Sequence, residues 1–205
     1  MKSSMRRASA KRVLEERDMP FLTYLKGDGL GEVLNREQER YAGFMLMGQQ
    51  IMIEDAEIST ADRELIAAYV SALNGCSFCY GTHEAIAKAF GANPEVLATI
   101  IAEPDSDVVE PKLSALLAYA RKLTETPSRL TQADADRVMA AGWSEQALSD
   151  LVAVVAYFAM ANRLADGHGI EGLDNASNQS VANFVRDNGY PMIESIMAPI
   201  GKESA

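Results

Sequence analysis

The sequence has few cysteines, whereas small extracellular domains are usually stabilised by several disulfides. Its 205 residues include two cysteines, two histidines and one tryptophan. The two cysteines, Cys76 and Cys79, are three positions apart, and a bridge between them would close a very short loop that constrains the unfolded chain little. A scaffold of stabilising disulfides is therefore excluded. In a reducing compartment the pair is better explained by chemistry than by stability.

Positive charge is also scarce and unevenly placed. Nineteen Lys and Arg residues stand against 29 Asp and Glu residues, which gives a net charge of −10 at pH 7. Residues 1–17 alone carry a local charge of +4, so the remainder carries −14. A body this acidic repels phosphate backbones and anionic lipids, so we expect no nucleic-acid partner and no membrane-surface role.

Residues 1–20 are predicted to form a flexible or subunit-docking arm, and residues 21–205 a single domain.

Long apolar runs are missing as well. The longest, such as residues 151–160, fall well short of the about 20 residues that a membrane helix needs. The N-terminal segment has basic residues but no apolar stretch behind them, which is unlike a secretory signal. We therefore expect a cytoplasmic protein.

Helical periodicity dominates the remaining sequence, and strand-like alternation is absent. Ser59 or Thr60, the Thr131–Asp134 pair and Ser144 are the expected helix starts. The pattern predicts an all-α domain with helices at about 36–55, 60–74, 76–90, 94–101, 111–126, 132–141, 145–165, 180–186 and 192–200.

The informative segment contains both cysteines and one histidine. If a helix begins near Cys76, then Cys76, Cys79 and His83 lie at i, i+3 and i+7 on one face. A helix N-terminus favours thiolate over thiol, and such placement can lower a cysteine pKa from about 8.5 into the range of about 3.5–7.5. His83, one turn beyond Cys79, could take the thiol proton or stabilise the thiolate.

Glu64 stands 12 residues before Cys76. An antiparallel helical hairpin that turns at Asn74 and Gly75 would bring Glu64 alongside the far end of the next helix, near His83. A carboxylate there could orient the imidazole and raise its basicity. The sequence thus predicts a Cys–His–Glu proton relay with a second cysteine beside it.

Paired thiols of this kind suit peroxide reduction. A thiolate attacks the outer oxygen of a peroxide and becomes a sulfenic acid, which a second thiol converts to a disulfide. An external dithiol then reduces the pair by exchange, and the relay supplies the proton that the departing oxygen needs. Glu64, Cys76, Cys79 and His83 are the predicted catalytic residues.

Two other interpretations of the same residues remain open. Cys76, Cys79 and His83 could hold zinc, with His168 or Glu64 as a fourth ligand, and the cysteines could simply be small buried apolar fillers. Both histidines could likewise be structural, and no cofactor or metal is required for the thiol chemistry.

At these positions the chain resembles the carboxymuconolactone decarboxylase superfamily, and within it the AhpD-like alkylhydroperoxidase and peroxidase-related branch. That branch carries a glutamate, eleven residues, Cys-x-x-Cys, three residues and a histidine, which Glu64, Cys76, Cys79 and His83 match in register. The resemblance is clear over residues 37–102. It implies an all-α fold with a central helical hairpin that carries the CxxC motif, assembled as homo-oligomers, either trimers or hexamers.

The resemblance also implies roles for the two cysteines. Cys79, nearer to His83, would attack the peroxide and Cys76 would resolve the intermediate, although helix-terminus electrostatics alone favours Cys76 as the more acidic thiol. The best-known members have a histidine at the position of Phe78, so the peroxidase rate is expected to be lower here. The expected partners are a small hydroperoxide or organic acid as substrate and a dithiol or thiol protein as reductant.

Two further functions are therefore kept beside a thiol-dependent hydroperoxide reductase or disulfide oxidoreductase. One is a decarboxylase-like lyase or isomerase on a small organic acid, in which Glu64 and His83 transfer protons. The other is a non-enzymatic redox-sensing or zinc-binding helical oligomer.

Overall fold

The computed structural model describes residues 20–26, 29–102 and 109–190, and within these ranges the chain forms helices without strands. A short 3₁₀ helix, Pro127–Arg129, accompanies the α-helices. These are α1 Leu30–Arg36, α2 Gln38–Met52, α3 Thr60–Asn74, α4 Ser77–Ala89, α5 Pro94–Ala102, α6 Pro111–Glu125, α7 Gln132–Ala140, α8 Glu145–His168 and α9 Asn175–Asn188. The predicted all-α fold is confirmed.

Several helices begin where the sequence places a capping side chain. Ser59 accepts the backbone N–H of Asp62 at the start of α3, and Ser144 caps α8 in the same way. At the start of α7 the Asp134 carboxylate accepts the Thr131 backbone N–H at 2.8 Å. These bonds satisfy amide groups that have no partner inside the helix.

Some predicted boundaries were wrong. The helix expected at 36–55 is α2, which begins after Glu37, where the backbone is not helical, and ends at Met52. Helix α1, which precedes it, was not predicted. Helix α8 continues past the predicted end at 165 and includes Gly167; it ends at Gly169, whose φ of +70° favours glycine. Helix α9 is longer than the predicted 180–186. The predicted helix at 192–200 and residues 1–19 of the predicted arm lie outside the described residues.

The hairpin of α3 and α4 lies at the centre of the fold. Helix α3 packs against α4, α8 and α6, while α9 packs against the other side of α4. Four apolar side chains of α3 have no exposed surface: Ile66, Ala67, Ala68 and Val70. Both sides of the hairpin are thus covered by helices, which holds its residues in a fixed register.

Helix α8 is long and apolar enough, by length and composition, to cross a membrane. Its apolar stripe, however, is buried inside the fold, with Leu151, Val154 and Phe158 almost fully covered. The core helix of a folded domain meets the same criteria, so this is weak evidence for a membrane span.

Candidate active site

The turn between α3 and α4 positions the two cysteines. Gly75 ends α3 with a φ of +76°, a conformation that glycine adopts without strain. Cys76 is the N-cap of α4 rather than its first helical residue, with φ −82° and ψ 98°, which corrects the predicted helical position. Cys79 is the third residue of the helix. Because an N-cap side chain points toward the third residue, the two thiols are close even though Cys76 is not helical.

Glu64 and His83 meet across the hairpin. Nδ1 of His83 lies 2.6 Å from Oε2 of Glu64. Glu64 has no exposed surface and His83 is 9% exposed. A carboxylate accepts hydrogen bonds, so Nδ1 carries the proton and Nε2 is the ring nitrogen left for proton exchange. Phe158 of α8 packs edge-on against the imidazole at a centroid distance of 4.4 Å.

A third member of this network comes from beyond α9. The hydroxyl of Tyr190 donates to Oε1 of Glu64 at 2.8 Å and lies 3.4 Å from Nδ1 of His83. Tyr190 could not be found from the sequence, because it lies 126 positions from Glu64 and no local pattern connects the two residues.

The environment separates the acidities of the two thiols. A hydrogen bond from Cys76 lowers the pKa of Cys79 to about 7, against the opposing effect of burial. The electrostatic interaction with His83 and a hydrogen bond from Asn162 lower it as well. The same contact with Cys79, together with burial, raises the pKa of Cys76 well above its ordinary value. Helix-terminus electrostatics had favoured Cys76 as the more acidic thiol, and the side-chain contacts reverse that order.

Helix α8 contributes polar groups that sequence analysis did not assign to the site. The buried Asn162 donates to Ser71 at 3.0 Å and accepts from Asn74 at 2.8 Å, which fixes its amide beside Cys79. Asp166, one turn further along, lies within hydrogen-bonding reach of the Cys76 thiol. No motif in the sequence of α8 indicated contact with the cysteines.

A cavity of about 300 Å³ opens beside Cys79 and His83. Its wall is largely apolar and rich in aromatic rings, and among the described residues that line it there is no Lys or Arg. Both α4 and α9 contribute to the wall, and so do α1, α2 and α8. The main aromatic and apolar contributors are Leu30, Phe44, Phe78, Ile86, Tyr157, Phe158, Phe184 and Tyr190.

His168, considered above as a fourth zinc ligand, and Tyr80, the residue after Cys79, do not line this cavity. His168 is the last residue of α8, where its Nδ1 lies 2.7 Å from the carbonyl oxygen of Leu164. Tyr80 directs its hydroxyl toward Glu84 on its own helix. Within the described residues, no group of three His, Cys, Asp or Glu side chains is placed to hold a metal ion.

The chain is similar to known proteins in sequence and in fold. Residues 38–122 match the carboxymuconolactone decarboxylase family. An uncharacterised protein of Bacillus subtilis (strain 168), YdfG, is 25% identical over 121 residues, which is 59% of this chain and 82% of that protein. The matched family region includes Glu64, Cys76, Cys79 and His83 and stops well before Tyr190.

Solved structures share the fold at low sequence identity. An AhpD-core, peroxidase-related protein from Ralstonia eutropha JMP134 has a TM-score of 0.67 with 22% identity, covering 82% of this chain and 88% of its own. The debrominase Bmp8, with a cysteine replaced by alanine and 2,3,4-tribromopyrrole bound, has a TM-score of 0.59 with 18% identity, covering 85% and 88%. The family match covers residues 38–122, and the solved structures show that the chain has an AhpD-like fold.

Proposed function

We propose that this protein is a thiol-dependent reductase of small organic hydroperoxides. The observation that carries the proposal is the position of Cys79. This thiol has a pKa lowered to about 7 and borders an apolar cavity beside a hydrogen-bonded Glu64–His83 pair. A nucleophile, a proton carrier and a binding space for an organic molecule thus lie together.

In the first step the Cys79 thiol gives its proton to Nε2 of His83, and the thiolate attacks the outer oxygen of the hydroperoxide. The O–O bond breaks, a sulfur–oxygen bond forms and Cys79 becomes a sulfenic acid. The departing alkoxide takes the proton from His83 and leaves as an alcohol. Glu64 stabilises the imidazolium between the two proton transfers.

In the second step Cys76 resolves the intermediate. Its sulfur attacks the sulfur of the Cys79 sulfenic acid, the S–O bond breaks and water leaves with the proton of the Cys76 thiol. Asp166 lies beside that thiol and is suited to accept the proton on its way to water. A dithiol then reduces the Cys76–Cys79 disulfide by exchange and is itself oxidised, as expected in the cytoplasm.

The cavity favours a neutral organic substrate over hydrogen peroxide. Burial of an apolar group against the aromatic wall contributes about 25 cal/mol per Å² of apolar surface, and hydrogen peroxide has no such surface. The wall also offers no Lys or Arg among the described residues to bind a carboxylate. The organic-acid lyase therefore has less support than the reductase.

Steady-state turnover tests the proposal. With dithiothreitol as reductant, we expect cumene hydroperoxide to be reduced with a KM at least tenfold below that of hydrogen peroxide. Cys79→Ser should abolish turnover with both oxidants. Absence of dithiol-dependent reduction of any hydroperoxide by the wild-type protein would refute the proposal.

A second candidate uses the same thiols for reductive dehalogenation. The ring-lined cavity suits a planar halogenated aromatic molecule, and a debrominase shares the fold. Both thiols would lose their protons and two electrons to form the disulfide, while a carbon–bromine bond is replaced by carbon–hydrogen and bromide leaves. Release of bromide from 2,3,4-tribromopyrrole without turnover of cumene hydroperoxide would favour this reaction.

Assembly of the chain as a trimer or hexamer stays a prediction, which sedimentation equilibrium can test.

A further inference from the structure

We propose that Tyr190 is a positioning residue for the Glu64–His83 pair, so that the segment after α9 completes the reactive site. This inference rests on the proposed function for its kinetic consequence, but not for its structural one. Tyr190 lies outside the region that matches the superfamily. It is therefore a feature that the family motif does not predict.

The path of the chain explains how Tyr190 reaches a residue 126 positions earlier. Ala182 and Val185 of α9 are buried against Ile86 of α4, which fixes α9 beside the hairpin. Gly189 then takes a φ of +74° and turns the chain away from the helix axis. A side chain in place of Gly189 would be strained, and its Cβ would lie 2.9 Å from Oε1 of Gln49.

Gln49 of α2 anchors the turn. Its side-chain Oε1 accepts the backbone N–H of Tyr190 at 2.8 Å. The backbone of Tyr190 is thus held from α2. Its ring lies 6.5 Å from the imidazole of His83, centroid to centroid, with an angle of 26° between the two planes. These contacts direct the hydroxyl to Glu64.

The Tyr190 hydroxyl and the His83 imidazole each bond to a different oxygen of the Glu64 carboxylate. Oε1 accepts from Tyr190 and Oε2 accepts from Nδ1 of His83. Burial, followed by the negative charge of Glu64, raises the pKa of Tyr190 well above its ordinary value, so the hydroxyl stays a donor. With both oxygens occupied, the carboxylate cannot rotate without losing a buried hydrogen bond, which keeps Nδ1 protonated and Nε2 available.

The expected kinetic effect follows from that geometry. Tyr190→Phe keeps the ring in the cavity wall and removes the donor from Oε1. We expect kcat to fall about tenfold, the loss that corresponds to one hydrogen bond to a charged group, while KM changes less than twofold.

A measurement without substrate separates this inference from the proposed function. The sequence has two histidines, so imidazole nitrogen NMR gives two sets of signals, and His168→Gln assigns them. In the wild-type protein we expect His83 to show a slowly exchanging Nδ1 proton. In Tyr190→Phe we expect faster exchange of that proton and a mixture of tautomers. The matched control is Tyr119→Phe, a half-buried tyrosine of α6 that packs against the core away from the site.

The outcomes decide both questions separately. An unchanged His83 tautomer and exchange rate in Tyr190→Phe, equal to those of Tyr119→Phe, would overturn the positioning role whatever the activity. A changed His83 signal in Tyr190→Phe supports the positioning role even if the wild-type protein reduces no hydroperoxide, a result that would refute the proposed function alone.

Discussion

The carboxylate of Glu64 lies 2.6 Å from Nδ1 of His83 although the two residues are 19 positions apart and belong to different helices. The contact is buried, so it is shielded from competition by water. It also fixes which ring nitrogen is left for proton exchange. This pair is therefore the part of the site where a small chemical change should have the largest effect on proton transfer.

Glu64→Gln tests the charge while keeping the shape. A neutral amide cannot stabilise the imidazolium that forms when His83 takes the thiol proton, so we expect kcat to fall by about 100-fold, within the range for a positioned acid–base group. The fold should persist because the side-chain volume is unchanged. Stopped-flow measurement of sulfenic acid formation reports the step directly. A variant with wild-type rates would show that the pair is only structural.

The two cysteines should give different chemical products when each is replaced. In Cys76→Ser the Cys79 sulfenic acid has no resolving thiol, so one equivalent of hydroperoxide should leave an adduct that dimedone traps on Cys79. In Cys79→Ser we expect no adduct. Mass spectrometry of the labelled peptide makes the distinction, and trapping on Cys76 in preference to Cys79 would reverse the assigned roles.

The reactivity of Cys79 should follow pH in a way that depends on Cys76. The pKa of Cys79 is lowered to about 7, chiefly by the hydrogen bond from Cys76, so the alkylation rate with iodoacetamide should rise through a midpoint near that pH. Cys76→Ala removes the donor and should move the midpoint to higher pH, because the thiolate loses stabilisation. A midpoint that stays in place would mean that His83 and Asn162 alone set the acidity.

A pair of glycines in α2 offers a matched test of the cavity wall. A Cβ at Gly48 would lie within 3 Å of the Tyr157 ring and hydroxyl, whereas a Cβ at Gly43 would meet nothing within 4 Å. The Tyr157 ring stacks on the Phe44 ring at a centroid distance of 4.3 Å, so it cannot move away freely. We expect Gly48→Ala to raise KM for an organic hydroperoxide several-fold, and Gly43→Ala to stabilise the fold slightly through helix propensity. Equal KM values would exclude a role for this wall in binding.

Core packing makes a prediction independent of chemistry. Leu151 of α8 has no exposed surface, while its neighbour Val152 is 37% exposed. Leu151→Ala should lower the free energy of unfolding by about 2–5 kcal/mol through lost burial and a cavity. Val152→Ala should change it by less than about 1 kcal/mol. Urea denaturation followed by circular dichroism compares the two, and similar losses would contradict the described packing of α8.

The sequence allowed the hairpin residues to be predicted because their relationship is local. Helical spacing and the Asn74–Gly75 turn bring Glu64 to His83, and the caps at Ser59 and Ser144 follow from side-chain chemistry that acts over three residues. Boundaries were less predictable: the break at Glu37 has no Gly or Pro to mark it.

The rest of the site depends on tertiary packing. Asn162 and Tyr190 carry no motif of their own and reach the cysteines and Glu64 only because α8 and α9 cover the two sides of the hairpin. The reversal of the thiol acidities has the same origin, since it follows from side-chain contacts rather than from the helix terminus.

The cavity wall that the structure describes includes Cys79 and not Cys76, and Cys76 has no exposed surface. Among the described residues, the hydroperoxide and a small-molecule reductant therefore both reach the site through this cavity, at Cys79. Under the proposed chemistry, a large excess of hydroperoxide would compete with the Cys76 thiol for the Cys79 sulfenic acid and oxidise it to sulfinic acid, releasing an alcohol. The proposed peroxidase activity would then fall when the hydroperoxide concentration is highest.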